Sequence, residues 1–226
     1  MREAVIIAGG KGLRLKGQID VPKPFLVINE DTGETLIERQ FRWLAAYNFE
    51  HIVMATSRDT FKYLRANYSK FLNEPWLDVS IEEENLGTGG GLRKALEFAE
   101  EPYFYCFNVD DIAFYSPEEL YAMKNPHNVL LIQQARLPFG EVKVDMGRVV
   151  SFEEKPQIDK YISVGHYLFN KEEILPSLPE VGDLEKTLLV DVAQRGLLFS
   201  HILKGTWITV NTYKDLLEAR KHMKLA

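Results

Sequence analysis

The chain has 226 residues, 46% hydrophobic and 27% charged, with a formal net charge of −6, which fits one ordinary globular domain over 1–226. This acidic balance excludes a general nucleic-acid binder, which needs basic surface to displace counterions, and no apolar run is long enough to span a bilayer. The single cysteine, Cys106, lies in an apolar run and cannot form an intramolecular disulfide; with no signal peptide expected after Met1-Arg2-Glu3, the cytoplasm is the expected compartment.

In chain order, Ala4–Ala8 is apolar without alternation, as in a buried parallel strand. Gly9, Gly10 and Gly12 follow and allow backbone N–H groups to approach an anion closely. Arg14, and Lys23 between Pro22 and Pro24, add fixed positive charge, so this stretch suggests a triphosphate site. After the short run Phe25–Ile28, Thr35 opens a helix to about Asn48, with Glu38 at capping-box spacing. His51–Thr56 reads as a strand, Asp59–Asn67 as a helix and Asp78–Glu83 as a strand. Thr88 opens a further helix through Phe98. Its start carries Gly89, Gly90 and Gly91, which cost helix stability, so a close approach is expected to offset them. Bare backbone there would let a flat ring lie close, and the Glu82 carboxylate would accept N–H donors from a nucleobase edge.

Tyr103–Val109 reads as a central strand that ends in Asp110-Asp111, placing carboxylates where it emerges into the expected ligand crevice. A carboxylate there suits Mg²⁺, which takes one or two protein oxygens and completes its shell with water and phosphates. Ser116 caps a helix to about Met123 with Pro117 at its first position. Asn128–Ala135 follows as a strand, then Glu141–Val144 and Arg148–Glu153 as an antiparallel pair turning at Met146-Gly147. In Phe152-Glu153-Glu154-Lys155-Pro156, Lys155 could hold a second phosphate while Glu154 accepts from sugar hydroxyls. Ser163–Phe169 continues the sheet, Asp183–Arg195 reads as a helix stopped by Gly196, Phe199–Leu203 as a strand, and Tyr213–Lys221 as a helix capped by Thr212 with Asp215 at the box position. The alternation implies an α/β fold: a mostly parallel central sheet, helices on both faces, and ligands at the carboxyl ends of the strands.

The ordered set Gly9-Gly10-Lys11-Gly12-Leu13-Arg14, Pro22-Lys23-Pro24, Leu36-Ile37-Glu38, Leu86-Gly87-Thr88-Gly89-Gly90, Asn108-Val109-Asp110, Phe152-Glu153-Glu154-Lys155-Pro156 and Trp207–Thr212 resembles the sugar-1-phosphate nucleotidylyltransferases, both the mannose- and heptose-1-phosphate guanylyltransferases and the glucose-1-phosphate thymidylyl- and uridylyltransferases. The resemblance implies a Rossmann-like nucleotidyltransferase core with inserted sugar-binding strands. It also implies an Mg²⁺-dependent reaction of a nucleoside triphosphate with a sugar 1-phosphate, giving an NDP-sugar and pyrophosphate. By the same resemblance Gly9, Gly10 and Gly12 line the nucleotide, Arg14 and Lys23 hold its phosphates, and Glu82, Gly87 and Thr88 lie near the base. Asp110 binds the metal, and Gly140, Glu154, Lys155 and Gly165 surround the sugar phosphate. The Leu-Gly-Thr-Gly-Gly run and an acceptor-only Glu82 favour GTP over UTP or dTTP.

Four positions depart from the pattern. Leu13 stands for a usual threonine, Val109 for a glycine, Ser163 for an asparagine, and Thr209 for the aspartate that serves as second metal ligand. The last opens an alternative: a catalytically weakened sensor or partner subunit that binds nucleotide or nucleotide-sugar. A dehydrogenase is disfavoured because Leu13-Arg14-Leu15 supplies no third glycine. His166 on its strand reads as a core residue rather than a sugar ligand. A homo-oligomer is compatible with the sequence without being read from it.

Overall fold

The computed structural model describes residues 1–10, 20–123 and 127–223, so Gly12 and Arg14 lie outside the described residues. Its elements are β1 (Glu3–Ile7), β2 (Val27–Asn29), β3 (Glu34–Thr35), α1 (Leu36–Ala46), β4 (His51–Ser57), α2 (Arg58–Asn67), β5 (Leu77–Glu82), α3 (Gly87–Ala95), β6 (Tyr103–Asn108) and β7 (Asp111–Ala113). They continue as α4 (Glu118–Tyr121), β8 (Asn128–Arg136), β9 (Glu141–Asp145), β10 (Arg148–Glu153), β11 (Gln157–Asn170), α5 (Lys171–Ile174), α6 (Leu188–Gln194), β12 (Leu198–Ile202), β13 (Trp207–Thr209) and α7 (Tyr213–Met223).

The main sheet has seven strands in the order β12-β8-β11-β6-β1-β4-β5. All of its pairings are parallel except those of β11, which runs antiparallel to β6 and to β8. Every residue of β1 is buried, because helices cover both sheet faces. Ala4 and Ile6 pack with α1 and α7 through Leu36, Ile37, Phe41 and Leu216, whereas Val5 and Ile7 pack with α3 and α6 through Leu92, Ala95, Leu188 and Val192. Cys106 sits in this second core, where burial pushes its thiol pKa well above the usual range; it is a packing residue. No helix among the described residues is long and apolar enough to cross a membrane.

Local signals account for most of the element ends. The Thr35 hydroxyl and the Glu38 carboxylate cap the start of α1 reciprocally, and Thr212 with Asp215 does the same for α7. The turn between β9 and β10 holds Met146 and Gly147 at φ 43° and 80°, the two left-handed residues that a tight hairpin turn requires. The helix expected from Asp183 instead begins only at Leu188, after a 3-10 turn over Leu184–Lys186. That early segment is tied elsewhere: the Thr88 hydroxyl accepts from the Leu184 amide at 2.8 Å, and Leu184 is buried in the core. At the other end of α6, Gly196 takes φ 71° and closes the helix as expected.

Candidate active site

β1, β5 and β6 are parallel members of the sheet and end on the same side, at Ile7, Glu82 and Asn108. Residues that follow these ends therefore gather at one edge of the sheet, where open α/β sheets form their ligand crevice.

Lys23 reaches that crevice from a 3-10 turn over Lys23–Phe25. Prolines on either side restrict the local dihedrals, and Phe25, buried against the rings of Tyr63 and Tyr68 at 4.9 Å from each, anchors the turn. The Lys23 ammonium donates to Asp110 Oδ2 at 2.7 Å and to Asn211 Oδ1 at 3.3 Å. Both members of the ion pair are largely shielded from water.

The Asp110 backbone is fixed from several directions. The Val109 amide donates to the Ile7 carbonyl, and the Val210 amide to that of Asp110. Gln40, on the buried face of α1, donates to the carbonyls of Val109 and Asp111 at 3.0 and 3.2 Å. His166 Nε2 donates to the same Asp111 carbonyl at 3.0 Å, and its Nδ1 accepts from the Tyr105 hydroxyl at 2.7 Å. Burial pushes the His166 pKa down to about 3, so the ring is neutral and belongs to the core.

Asp111, the neighbour of Asp110, points inward. Its carboxylate accepts from Asn108 at 3.0 Å and from the Trp207 indole at 3.1 Å. Thr209, its register partner across β7 and β13, also hydrogen-bonds to it. Burial, reinforced by the charge of Asp110, pushes the Asp111 pKa up to about 7. Gly165 takes φ 75° with its Cα against this cluster; a Cβ there would overlap Asp111 Oδ2 and approach Asn108 Nδ2 to 2.7 Å. Gly165 thus makes room for the aspartate cluster beneath the crevice.

Glu82 is buried at the end of β5, and a Cβ on either Gly9 or Gly91 would lie 2.6 Å from its Oε1. Its Oε2 accepts from the Leu86 amide at 3.2 Å, and burial raises its pKa against the opposing pull of that amide and Lys94. Glu82 and Gly9 are therefore neighbours. No described residue lies within 4 Å of a Cβ built on Gly10. Gly87 and Thr88 turn instead toward residues 182–185: a Cβ on Gly87 would meet the Gly182 carbonyl at 2.6 Å, and the Thr88 hydroxyl donates to Glu185. The Gly182 carbonyl accepts from the amides of Gly89 and Gly90. This docked segment is the close approach that the glycine run implied.

Gly140, Glu154 and Lys155 belong to the base of the β9–β10 hairpin. The Phe152 ring covers Gly140, Lys155 is held at φ 49°, and its exposed ammonium lies 4.0 Å from the Glu154 carboxylate. No ion pair or hydrogen bond among the described residues joins these two to Lys23 or Asp110. Asn211, which was not among the expected site residues, holds Lys23. It lies inside the Trp207–Thr212 run, which was the available signal.

The donor set bears on a metal. Among the described residues no group of three or more His, Cys, Asp or Glu gathers around a common point. The Thr209 hydroxyl is engaged, accepting from Asn211 at 2.9 Å and bonding to Asp111. These residues fit a hard cation held through the Asp110 carboxylate with its shell completed by phosphate oxygens and water, and they form no preassembled cage.

Residues 3–224 match the family model described as nucleotidyl transferase. A mannose-1-phosphate guanylyltransferase catalytic subunit beta from Xenopus tropicalis is 27% identical over 95% of this chain and 62% of its own length. A D-glycero-alpha-D-manno-heptose 1-phosphate guanylyltransferase from Campylobacter jejuni is 31% identical over 75% of this chain and 76% of its own. Among solved structures, HddC from Yersinia pseudotuberculosis in complex with GMP-PN superposes with a TM-score of 0.73 at 23% identity, covering 99% of this chain and 100% of that one. A putative glucose-1-phosphate thymidylyltransferase from Bacillus anthracis gives a TM-score of 0.75 at 18% identity, covering 98% and 95%. The chain spans about three fifths of the mannose-1-phosphate relative, 62% of its length.

Proposed function

The chain belongs to the nucleotidyl transferase family, and on that premise we propose that it joins a nucleoside triphosphate to a sugar 1-phosphate, releasing pyrophosphate and an NDP-sugar. The observation that carries this reading is the Lys23 ammonium held 2.7 Å from Asp110 at the carboxyl edge of the sheet. An ammonium has three N–H donors, and Asp110 and Asn211 take two of them, leaving one for a phosphate oxygen.

In the reaction, a phosphate oxygen of the sugar 1-phosphate forms a bond to the α-phosphorus as the bond to the β-phosphate oxygen breaks, and pyrophosphate leaves with the electron pair. The attacking phosphate is largely dianionic at neutral pH, its second pKa being about 6, so neither a protein nucleophile nor a general base is required. The protein supplies position and relief of charge repulsion. Lys23 stabilises negative charge on the triphosphate, with Arg14 in the same role. Lys155 and Glu154 grip the sugar phosphate, with Gly140 and Gly165 beside it, and Gly9, Gly10 and Gly12 line the nucleotide. Mg²⁺ on Asp110 would neutralise phosphate charge.

GTP is the proposed nucleotide, ahead of UTP or dTTP. The acceptor-only Glu82 carboxylate beside Gly9 suits the N1–H and amino donors of guanine, and two of the relatives are guanylyltransferases by name. A cytoplasmic location belongs to the same reading. One observation favours a second reading, a binding subunit with weak turnover: Thr209 is a neutral hydroxyl already engaged by Asp111 and Asn211.

Pyrophosphate release over a panel of triphosphates and sugar 1-phosphates, with and without Mg²⁺, separates the two. The enzyme reading requires Mg²⁺-dependent release, largest with GTP. Triphosphate binding without release for any pair would establish the subunit reading.

A further inference from the structure

β9 and β10 form a two-stranded ribbon apart from the main sheet, pairing only with each other among the described residues. Their register places Val142 opposite Phe152 and Val144 opposite Val149 on one face, and Glu141 opposite Glu153, Lys143 opposite Ser151 and Asp145 opposite Arg148 on the other. A bulge at Val150 produces this separation, because it puts Val149 and Phe152 on one face although they are three residues apart. The apolar four are 47 to 64% exposed. An isolated two-stranded hairpin is marginal in water, and exposed apolar surface concentrated on one face marks an interaction site.

The sequence of β10 points to its partner. Run antiparallel to a second copy about a two-fold axis between Val150 and Ser151, the strand sets Arg148 against Glu153 of the other copy and Val149 against its Phe152. Charge meets opposite charge on the polar face, and apolar meets apolar on the other. Within one ribbon Glu141 already faces Glu153, and an arginine from a second copy would offset that like-charge pair.

We infer that two copies of this chain associate through the free edge of β10, extending the ribbon to four strands across a two-fold axis. The join gives the unpaired backbone groups of that edge their partners and makes one apolar face of the two halves.

Sedimentation of the full chain at about 10 µM, where a micromolar dimer is mostly formed and one about a hundredfold weaker is mostly dissociated, tests this with charge variants. Wild type is expected to be a dimer, and Arg148→Glu and Glu153→Arg, each confirmed folded by circular dichroism, monomers with dissociation constants raised about a hundredfold. The double variant R148E/E153R, and an equimolar mixture of the two single variants, restore opposite charges at both symmetric positions and should return to dimer. A monomeric wild type, a dimer indifferent to both single changes, or folded monomers that neither the double variant nor the mixture rescues would each overturn the inference.

Discussion

Lys23 and Asp110 are 87 residues apart in sequence and 2.7 Å apart in space. On the proposed function Lys23 is a fixed donor for developing phosphate charge, and Lys23→Ala is expected to lower turnover roughly a hundred- to a thousandfold, measured as pyrophosphate release with melting temperature unchanged within a few degrees. Gly165 acts differently. Its role lies in the fold of the cluster, since any side chain would collide with Asp111 and Asn108 and would also occupy a left-handed conformation. Gly165→Ala should destabilise by about 3 kcal/mol, read as a fall of roughly 10 °C in melting temperature. Little of this pairing was legible in the sequence from the residues alone. Lys23 and Asp110 each stood out on their own, as a cation after the glycine run and a carboxylate where a buried strand emerges, whereas the contact between them depends on how β1 and β6 register, which no local pattern encodes. Asn211 was not legible as a site residue because its partner Lys23 lies 188 residues away in sequence, beyond the reach of any local pattern.

At the scale of elements, the termini of strands and helices were the most legible features, because caps and turns are local chemistry. Thr35 with Glu38, Thr212 with Asp215, and Met146-Gly147 all act within four residues. The glycine run of α3 was legible only as a cost, since the segment that exploits it, residues 179–182, lies some ninety positions onward. For the same reason the start of α6 was misplaced: its first turn is diverted to Thr88. One tie between elements titrates. His51, at the start of β4, bonds through Nδ1 to Glu3 of β1 at 2.6 Å and through Nε2 to Asp78 of β5 at 3.0 Å. Burial pulls its pKa down, but the two carboxylates outweigh burial and raise it above 6.5. A raised folded-state pKa stabilises the protein fully below the unfolded value, and the contribution is lost as pH rises through the folded one. Melting temperature should therefore fall between pH 6.5 and the raised folded value in the wild type, and this segment should be flatter in His51→Gln.

At the scale of the molecule, strand and helix alternation was enough to give a mostly parallel sheet with both faces covered, because strands buried on both sides are apolar throughout. The antiparallel direction of β11 was not legible, since side-chain alternation is the same whichever way a strand runs. That strand leads from the Glu154-Lys155 turn to Gly165 and His166 beside the aspartate cluster, and so links the proposed sugar side to the proposed phosphate side. In the proposed function the crevice at the carboxyl edge of this sheet binds a nucleoside triphosphate through Lys23 and Asp110. Calorimetric titration of GTP in the presence of Mg²⁺ into wild type, Lys23→Ala and Asp110→Asn tests it most directly. Saturable binding to wild type and at least about tenfold weaker binding to each variant are expected. Equal affinity for all three proteins would contradict it.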